Sequence, residues 1–306
     1  MTLARTLDPA AELTELLSTL QPAEIALVLD QLRKAKAGNL VIDEVSLFHT
    51  SLKAQLASDD GKHYEEIQSA KAPPVLRGYP GRPEIQLPPE PLALNYELDR
   101  VLKARASRRD FAHVPLTLDE LGTLLHYSYG IRKTITAYNA KSFPVRFAPS
   151  SGGLQATELY MVVNGVEHVT KGLYHYNPER HSLELLDEGN MRFKVVKCCL
   201  YQDWLAHAGV VLMFTSVMER VLWKYGARGY RFVHMDAGIV ASHAYLVATA
   251  LRLRTCAVAA FQDDLVNELL EIDGTSEFAS LVMPVGKRPE PPKDEPGQGA
   301  PLDQYA

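Results

Sequence analysis

Three short segments hold the residues best suited to chemistry. The first is Glu219-Arg220-Val221-Leu222-Trp223-Lys224-Tyr225-Gly226, followed by Arg228-Gly229-Tyr230-Arg231. A lysine beside a tyrosine, among aromatics and glycines, can form a proton-transfer pair once one pKa is shifted toward neutrality. The same residues also suit a helix-to-helix connection with Lys and Arg at its surface. The second segment is Arg105-Ala106-Ser107-Arg108-Arg109, just ahead of Phe111. Guanidiniums with a hydroxyl suit a phosphate, since Arg donates paired, charge-assisted hydrogen bonds to its oxygens. The alternative is a solvated basic patch at a helix end. The third is Arg146-Phe147-Ala148-Pro149-Ser150-Ser151-Gly152-Gly153-Leu154. Its small hydroxyl and glycine residues, ahead of Ala156-Thr157-Glu158, predict a helix N-terminus with free N–H groups, an anion site. An ordinary loop and cap is the other outcome.

Other chemistries lack their patterns. No Gly-Lys-Ser/Thr follows the third segment, no G-x-G-x-x-G stands behind a strand, and no G-x-S-x-G appears. P-loop, dinucleotide-fold and α/β-hydrolase readings therefore have no support. The ten histidines show no metal-ligand spacing; His175 and His181 fall around a hairpin and His243 on a helix, as structural histidines do. Three cysteines, two of them the adjacent Cys198-Cys199, imply reduced thiols and a cytoplasmic chain rather than a disulfide scaffold. The net charge of -5, with no basic block, argues against nucleic-acid binding. The longest apolar run, Ala237–Leu251, is too short and too polar to cross a bilayer.

These segments need elements to hold them. Residues 10–38 read as a helix, with Ile25, Val28, Leu29 and Leu32 on one face and Gly38 at the end. Prolines crowd residues 72–91, predicting an extended connector laid over the surface, with the main domain starting near Leu92. In Thr117–Gly130, Thr117 and Glu120 make a capping box and Leu121, Leu124 and Leu125 a stripe. Leu159–Val163 and Val210–Ser216 read as strands, and Gly172–Tyr176 with Ser182–Leu186 as a hairpin. Tyr230–Leu253 is the longest helix; Thr255–Ala259 and Ser280–Val285 flank a short helix over Asp263–Ile272. This order is neither strictly alternating nor all-β, so the fold class is α+β. The expected division is a helical and Pro-rich extension over 1–91, a domain over 92–288 and a flexible tail over 289–306.

Taken in order, the three segments resemble the FMN-dependent nitroreductase superfamily, and within it the SagB-type azoline dehydrogenases. Arg105-Ala-Ser107-Arg108-Arg109-Asp-Phe111, Pro115-Leu116, Pro149-Ser-Ser-Gly-Gly-Leu154 and Gly172-Leu-Tyr-His-Tyr176 carry the resemblance. Glu219-Arg220, Trp223-Lys-Tyr-Gly226, Arg228-Gly-Tyr-Arg231 and Asp236-Ala-Gly238 complete it over residues 45–288. The Trp-Lys-Tyr-Gly piece is the most subfamily-specific. The resemblance implies a mixed sheet flanked by helices, and a homodimer with FMN at the subunit interface. It places Arg105, Ser107 and Arg109 on the FMN phosphate and ribityl chain. Pro149, Ser150, Ser151 and Gly152 fall along the flavin, and Ala259 and Ala260 near its reactive nitrogen. Lys224 and Tyr225 match the catalytic pair, one as base and the other as its orienting partner.

The chain departs from the family pattern at Ser242-His243, often Gln-Asn, at Ile239, often His, and at Ala259-Ala260, where glycines are usual. The implied activity is FMN-dependent dehydrogenation of azoline rings in a peptide, with dioxygen reoxidising the flavin. A cyclodehydratase complex is the implied partner, with neither nucleic acid nor membrane. The competing expectations are a generalist NAD(P)H-dependent nitro, quinone or enone reductase, and a non-catalytic flavin-binding scaffold.

Overall fold

A computed structural model describes residues 72–289 and a few helical positions between 45 and 52. The chain divides into two compact units, residues 1–60 and 61–306, and the sheet and the helices named below lie in the second. The helix expected over 10–38 and the tail beyond 289 lie outside the described residues.

Seven strands form the main sheet, in the order β1-β6-β5-β4-β7-β9-β8. They are β1 (Glu84–Gln86), β4 (Thr157–Val163), β5 (Gly172–Asn177), β6 (Ser182–Glu188), β7 (Val210–Val217), β8 (Leu253–Thr255) and β9 (Glu277–Lys287). A separate two-stranded ribbon pairs β2 (Ile131–Ala137) with β3 (Ala140–Arg146). The helices are α1 (Leu98–Ala104), α2 (Leu118–Tyr129), α3 (Arg192–Cys198), α4 (Glu219–Tyr225), α5 (Gly229–Ala250) and α6 (Asp263–Leu270). The class is α+β, as expected. Every ladder between these strands is antiparallel, where the resemblance implied a mixed sheet. Hairpins join β4 to β5 and β5 to β6, and no strand–helix–strand crossover lays two named strands in parallel.

The central strands are buried on both faces, which explains their near-continuous apolar sequence. Along β4, Leu159, Met161 and Val163 point into one core, and Tyr160 and Val162 into the other. In β7, Val210, Leu212 and Phe214 alternate likewise with Val211 and Met213. Helices α2 and α5 cover the first face through Leu121, Leu124, Leu125, Val240, Ala244 and Val247. Helices α3 and α6 cover the second through Val195, Val196, Val266 and Leu270. The predicted capping box is formed: Thr117 Oγ1 accepts from the Glu120 N–H, and Glu120 Oε2 accepts from the Thr117 N–H.

The proline-rich stretch corrects its description as a surface connector. Its proline-free piece, Glu84–Gln86, is the edge strand of the sheet, the position where flanking prolines are tolerated. Val75 and Leu87 are buried. The Pro74 carbonyl accepts from Arg220 Nε, and the Val75 carbonyl from Arg146 Nη2. Arg77 bonds Tyr160 Oη and pairs with Glu277. These bonds tie the stretch into the domain's interior.

A second correction concerns the helix N-terminus expected ahead of Ala156. The chain instead makes a tight hydrogen-bonded turn over Ser151–Gly153 and enters β4 at Thr157. Gly152, Gly153 and Gln155 all take positive φ, which no right-handed helix accommodates.

Candidate functional site

Strand β7 runs directly into α4, whose last two residues are Lys224 and Tyr225. Gly226 ends the helix at φ 53 and ψ -151, a backbone conformation open to glycine. Gly229 then allows α5 to start against α4, since a side chain there would meet Val221 Cγ2 at 2.9 Å. This turn brings Lys224 and Tyr225 over the Pro149–Gly153 segment. A Cβ at Gly152 would lie 2.5 Å from Tyr225 Oη and 3.0 Å from Lys224 Nζ. Two of the sequence-predicted segments therefore meet at Gly152, where glycine suits both the left-handed φ of 60 and this close approach.

Around this point the polar atoms form a directed chain. Lys224 Nζ donates to Tyr138 Oη at 2.7 Å, and Tyr138 Oη donates to the Gly152 carbonyl at 2.6 Å. The ammonium also lies 4.7 Å from the Tyr138 ring centre and 5.2 Å from that of Tyr225. Burial disfavours the ammonium, but the bond to Tyr138 and the nearby Tyr225 outweigh it, so the Lys224 pKa is raised above its ordinary value. Ser151 is held from α5: Asp236 Oδ1 accepts from its N–H and its hydroxyl, each at 2.9 Å. Burial pushes the Asp236 carboxyl up despite these two bonds. Its other oxygen, Oδ2, is buried with no hydrogen-bond partner. Ser150 Oγ accepts from the Gln155 N–H and closes the loop.

The remaining predicted residues stand elsewhere on the domain. Arg105 ends α1, and its guanidinium lies 5.5 Å from the Tyr245 ring centre. Ser107 Oγ is 3.0 Å from Tyr245 Oη, which also accepts from the Ala257 N–H. Arg109 lies over Trp204. All three residues are exposed, as a phosphate site and a solvated patch alike require. Tyr245 follows Asp236 by nine positions on α5, a rise of about 13–14 Å, so the arginine segment and the Gly152 centre sit apart along one helix. Ala259 and Ala260 are exposed in the loop after β8; Gln202 Nε2 donates to the Ala260 carbonyl.

Beneath the site lies a buried charge network that sequence reasoning did not assemble. Arg220, one turn before Lys224 on α4, pairs with Glu158 of β4 and donates to the Gln155 carbonyl at 2.9 Å. His175 sits between Glu158 and Glu184, at 3.0 and 2.9 Å, with both ring nitrogens engaged. Burial alone would raise the Glu158 pKa; Arg220 and then His175 overcome it and hold it at about 2. Burial works equally against the imidazolium, and the two carboxylates prevail, so the His175 pKa is raised. Tyr138, Asp236 and this network were missed as site residues. The signal for Tyr138 was Tyr138-Asn139 between two β-prone runs, since Asn tolerates the left-handed backbone of a tight turn.

Similarity to known proteins follows this architecture. Residues 102–287 match the Nitroreductase family. A Methanocaldococcus jannaschii protein named as a nitroreductase is 37% identical over 207 residues, 68% of this chain and 98% of its own length. The chain belongs to the nitroreductase family and is a nitroreductase-family oxidoreductase. The trifolitoxin-processing protein TfxB of Rhizobium leguminosarum bv. trifolii is 25% identical over 169 residues, 54% of this chain and 45% of TfxB. The microcin B17-processing protein McbC of Escherichia coli is 27% identical over 136 residues, 41% of this chain and 48% of McbC. This chain thus spans about half of each processing protein. Among solved structures, a nitroreductase from Anabaena variabilis superposes with TM-score 0.58 at 29% identity, over 69% of this chain and 42% of that one. A chain of the Escherichia coli microcin synthetase complex McbBCD shares the fold, with TM-score 0.52 at 20% identity, over 69% of this chain and 80% of that one. No helix among the described residues is long and apolar enough to cross a membrane.

Proposed function

We propose that this chain is an FMN-dependent dehydrogenase that converts azoline rings to azoles in a modified peptide, passing the electrons to dioxygen. The observation that carries it is the approach of Lys224 and Tyr225 to Gly152, on the segment that the family resemblance lays along the flavin. The processing names of TfxB and McbC support a peptide substrate.

The residues present fit FMN. Arg105, Ser107 and Arg109 are exposed donors suited to its phosphate and ribityl chain. Pro149, Ser150, Ser151 and Gly152 would flank its ring, where Asp236 Oδ2 is a buried, unused acceptor. Ala259 and Ala260 are small and exposed, open to close approach. A homodimer with the cofactor at the subunit interface is part of this reading. When bound, FMN supplies the two-electron acceptor that takes the ring's hydride and delivers the electrons to dioxygen.

The chain's own task is to orient the ring and move one proton. An azoline has an acidic Cα–H beside its carbonyl. Lys224 is held as an ammonium, with three donors and no lone pair, so the acceptor of the pair is the Tyr225 oxygen. The neighbouring ammonium would stabilise the negative charge that develops as the Cα–H bond breaks. Azolines arise by cyclodehydration of Cys, Ser or Thr side chains, which makes a cyclodehydratase complex the partner that supplies the substrate.

Incubating the FMN-loaded protein with an azoline peptide and oxygen, without NAD(P)H, tests this. The expected result is loss of two hydrogen atoms per ring. Turnover of nitro, quinone or enone compounds that requires NAD(P)H, with azoline untouched, overturns it. That second reading is favoured by the Methanocaldococcus jannaschii relative, matched over 98% of its length under the nitroreductase name alone.

A further inference from the structure

We propose that Tyr138 is a positioning residue for Lys224: the β2–β3 ribbon sets its hydroxyl between the lysine ammonium and the Gly152 carbonyl, fixing Lys224 as a donor beside Tyr225. A phenol has one hydrogen to give and lone pairs to receive. The Gly152 carbonyl accepts that hydrogen at 2.6 Å, so toward Lys224, at 2.7 Å, the Tyr138 oxygen acts as acceptor. The proton stays on the lysine, and the ring 4.7 Å away adds a favourable cation–π contact.

Turn chemistry does not explain a tyrosine here. Tyr138 and Asn139 form the two-residue tip of the ribbon, at φ 49 and 57, opposite the Ala137–Ala140 pair. A bulky side chain in the left-handed region carries backbone strain that glycine would avoid. What the tyrosine gains is contact beyond the ribbon: its ring meets Trp223 at 5.6 Å and an interplanar angle of 89°, while Phe143 backs it at 5.2 Å. Both α4 and the Gly152 loop therefore converge on this one side chain. The consequence for turnover rests on the function proposed above; the hold on Lys224 does not.

The test uses the full-length, FMN-loaded protein, its Tyr138→Phe variant and its Tyr138→Ala variant. Acetic anhydride labelling of Lys224 is followed by mass spectrometry at mildly alkaline pH. Losing a hydrogen bond to a charged group should speed Lys224 labelling about tenfold in Tyr138→Phe, and at least as much in Tyr138→Ala. With azoline peptide, the phenylalanine variant should lose kcat with KM little changed. Equal labelling of Lys224 in the parent and the phenylalanine variant overturns the proposal, even if turnover falls, because the ribbon would then be only structural. Faster labelling with kcat unchanged also overturns it, since the hold on Lys224 would not matter to the reaction. A parent protein inactive on azoline refutes the proposed function instead, and the labelling comparison still decides whether Tyr138 holds Lys224.

Discussion

Helix α4 offers two cations one turn apart, and they live in opposite surroundings. Arg220 is 2% exposed and each of its three nitrogens has a partner: the Pro74 carbonyl, the Gln155 carbonyl and Glu158. Lys224 is half-buried, among hydroxyls and beside a loop of glycines. The first arrangement is a foundation, since a buried charge is tolerated only when paired and hydrogen-bonded. The second keeps donors and acceptors free to meet another molecule. The contrast separates what holds this helix from what the helix presents.

The largest expected effect falls on the foundation. Arg220→Met leaves Glu158 buried without its main partner, and should cost about 3–5 kcal/mol in urea unfolding. A loss within experimental error of zero would mean that the network does not anchor α4. Lys224→Ala should reverse the pattern. It keeps the yellow flavin and changes stability little, yet dehydrogenation should fall about a hundredfold or more; undiminished turnover removes Lys224 from the mechanism.

Acidity should also tell the two regions apart. Glu158 has a depressed pKa, so its contribution is complete above the ordinary value of 4.5 and is lost as pH falls toward about 2. His175 has a raised pKa, so its contribution is complete below 6.5 and is lost as pH rises through the raised value. Thermal melts should therefore show the network at full strength between these limits and weakened in acid. The charge on Lys224, raised from 10.5, is untouched across that range. Acid stability equal to that at pH 6 would show the buried pairs to be weak. The smallest expected effect is Gly152→Ala, about 1–2 kcal/mol from left-handed strain alone. Displacement of Tyr225 and Lys224 by the new methyl should cost more in turnover than in stability.

How much was legible in the chain varies with burial. Strands β4 and β7 could be read from their apolar runs, and α2 from its capping box, because core-facing elements carry their pattern in order. Ribbon β2–β3 offered only its turn dipeptide, Tyr138-Asn139. Nearly all of β2 faces solvent, so Arg132, Lys133, Thr134 and Thr136 show no alternation to detect. Glu158 was misleading for a related reason. A few residues after the Ser-Ser-Gly-Gly run, a glutamate suggests a helix start, and nothing local reveals that an arginine 62 positions later neutralises it inside a sheet.

The sequence by itself determined the element types of the core, the three segments with chemical potential and the family resemblance, since each is written in neighbouring residues. Only tertiary structure decided that Lys224 and Tyr225 meet Gly152, that Tyr138 joins them, and that Arg105 and Ser107 meet α5 at Tyr245, away from that centre. Hydrogen bonds and packing act over ångströms in space, and that distance is set by the fold rather than by position in the chain.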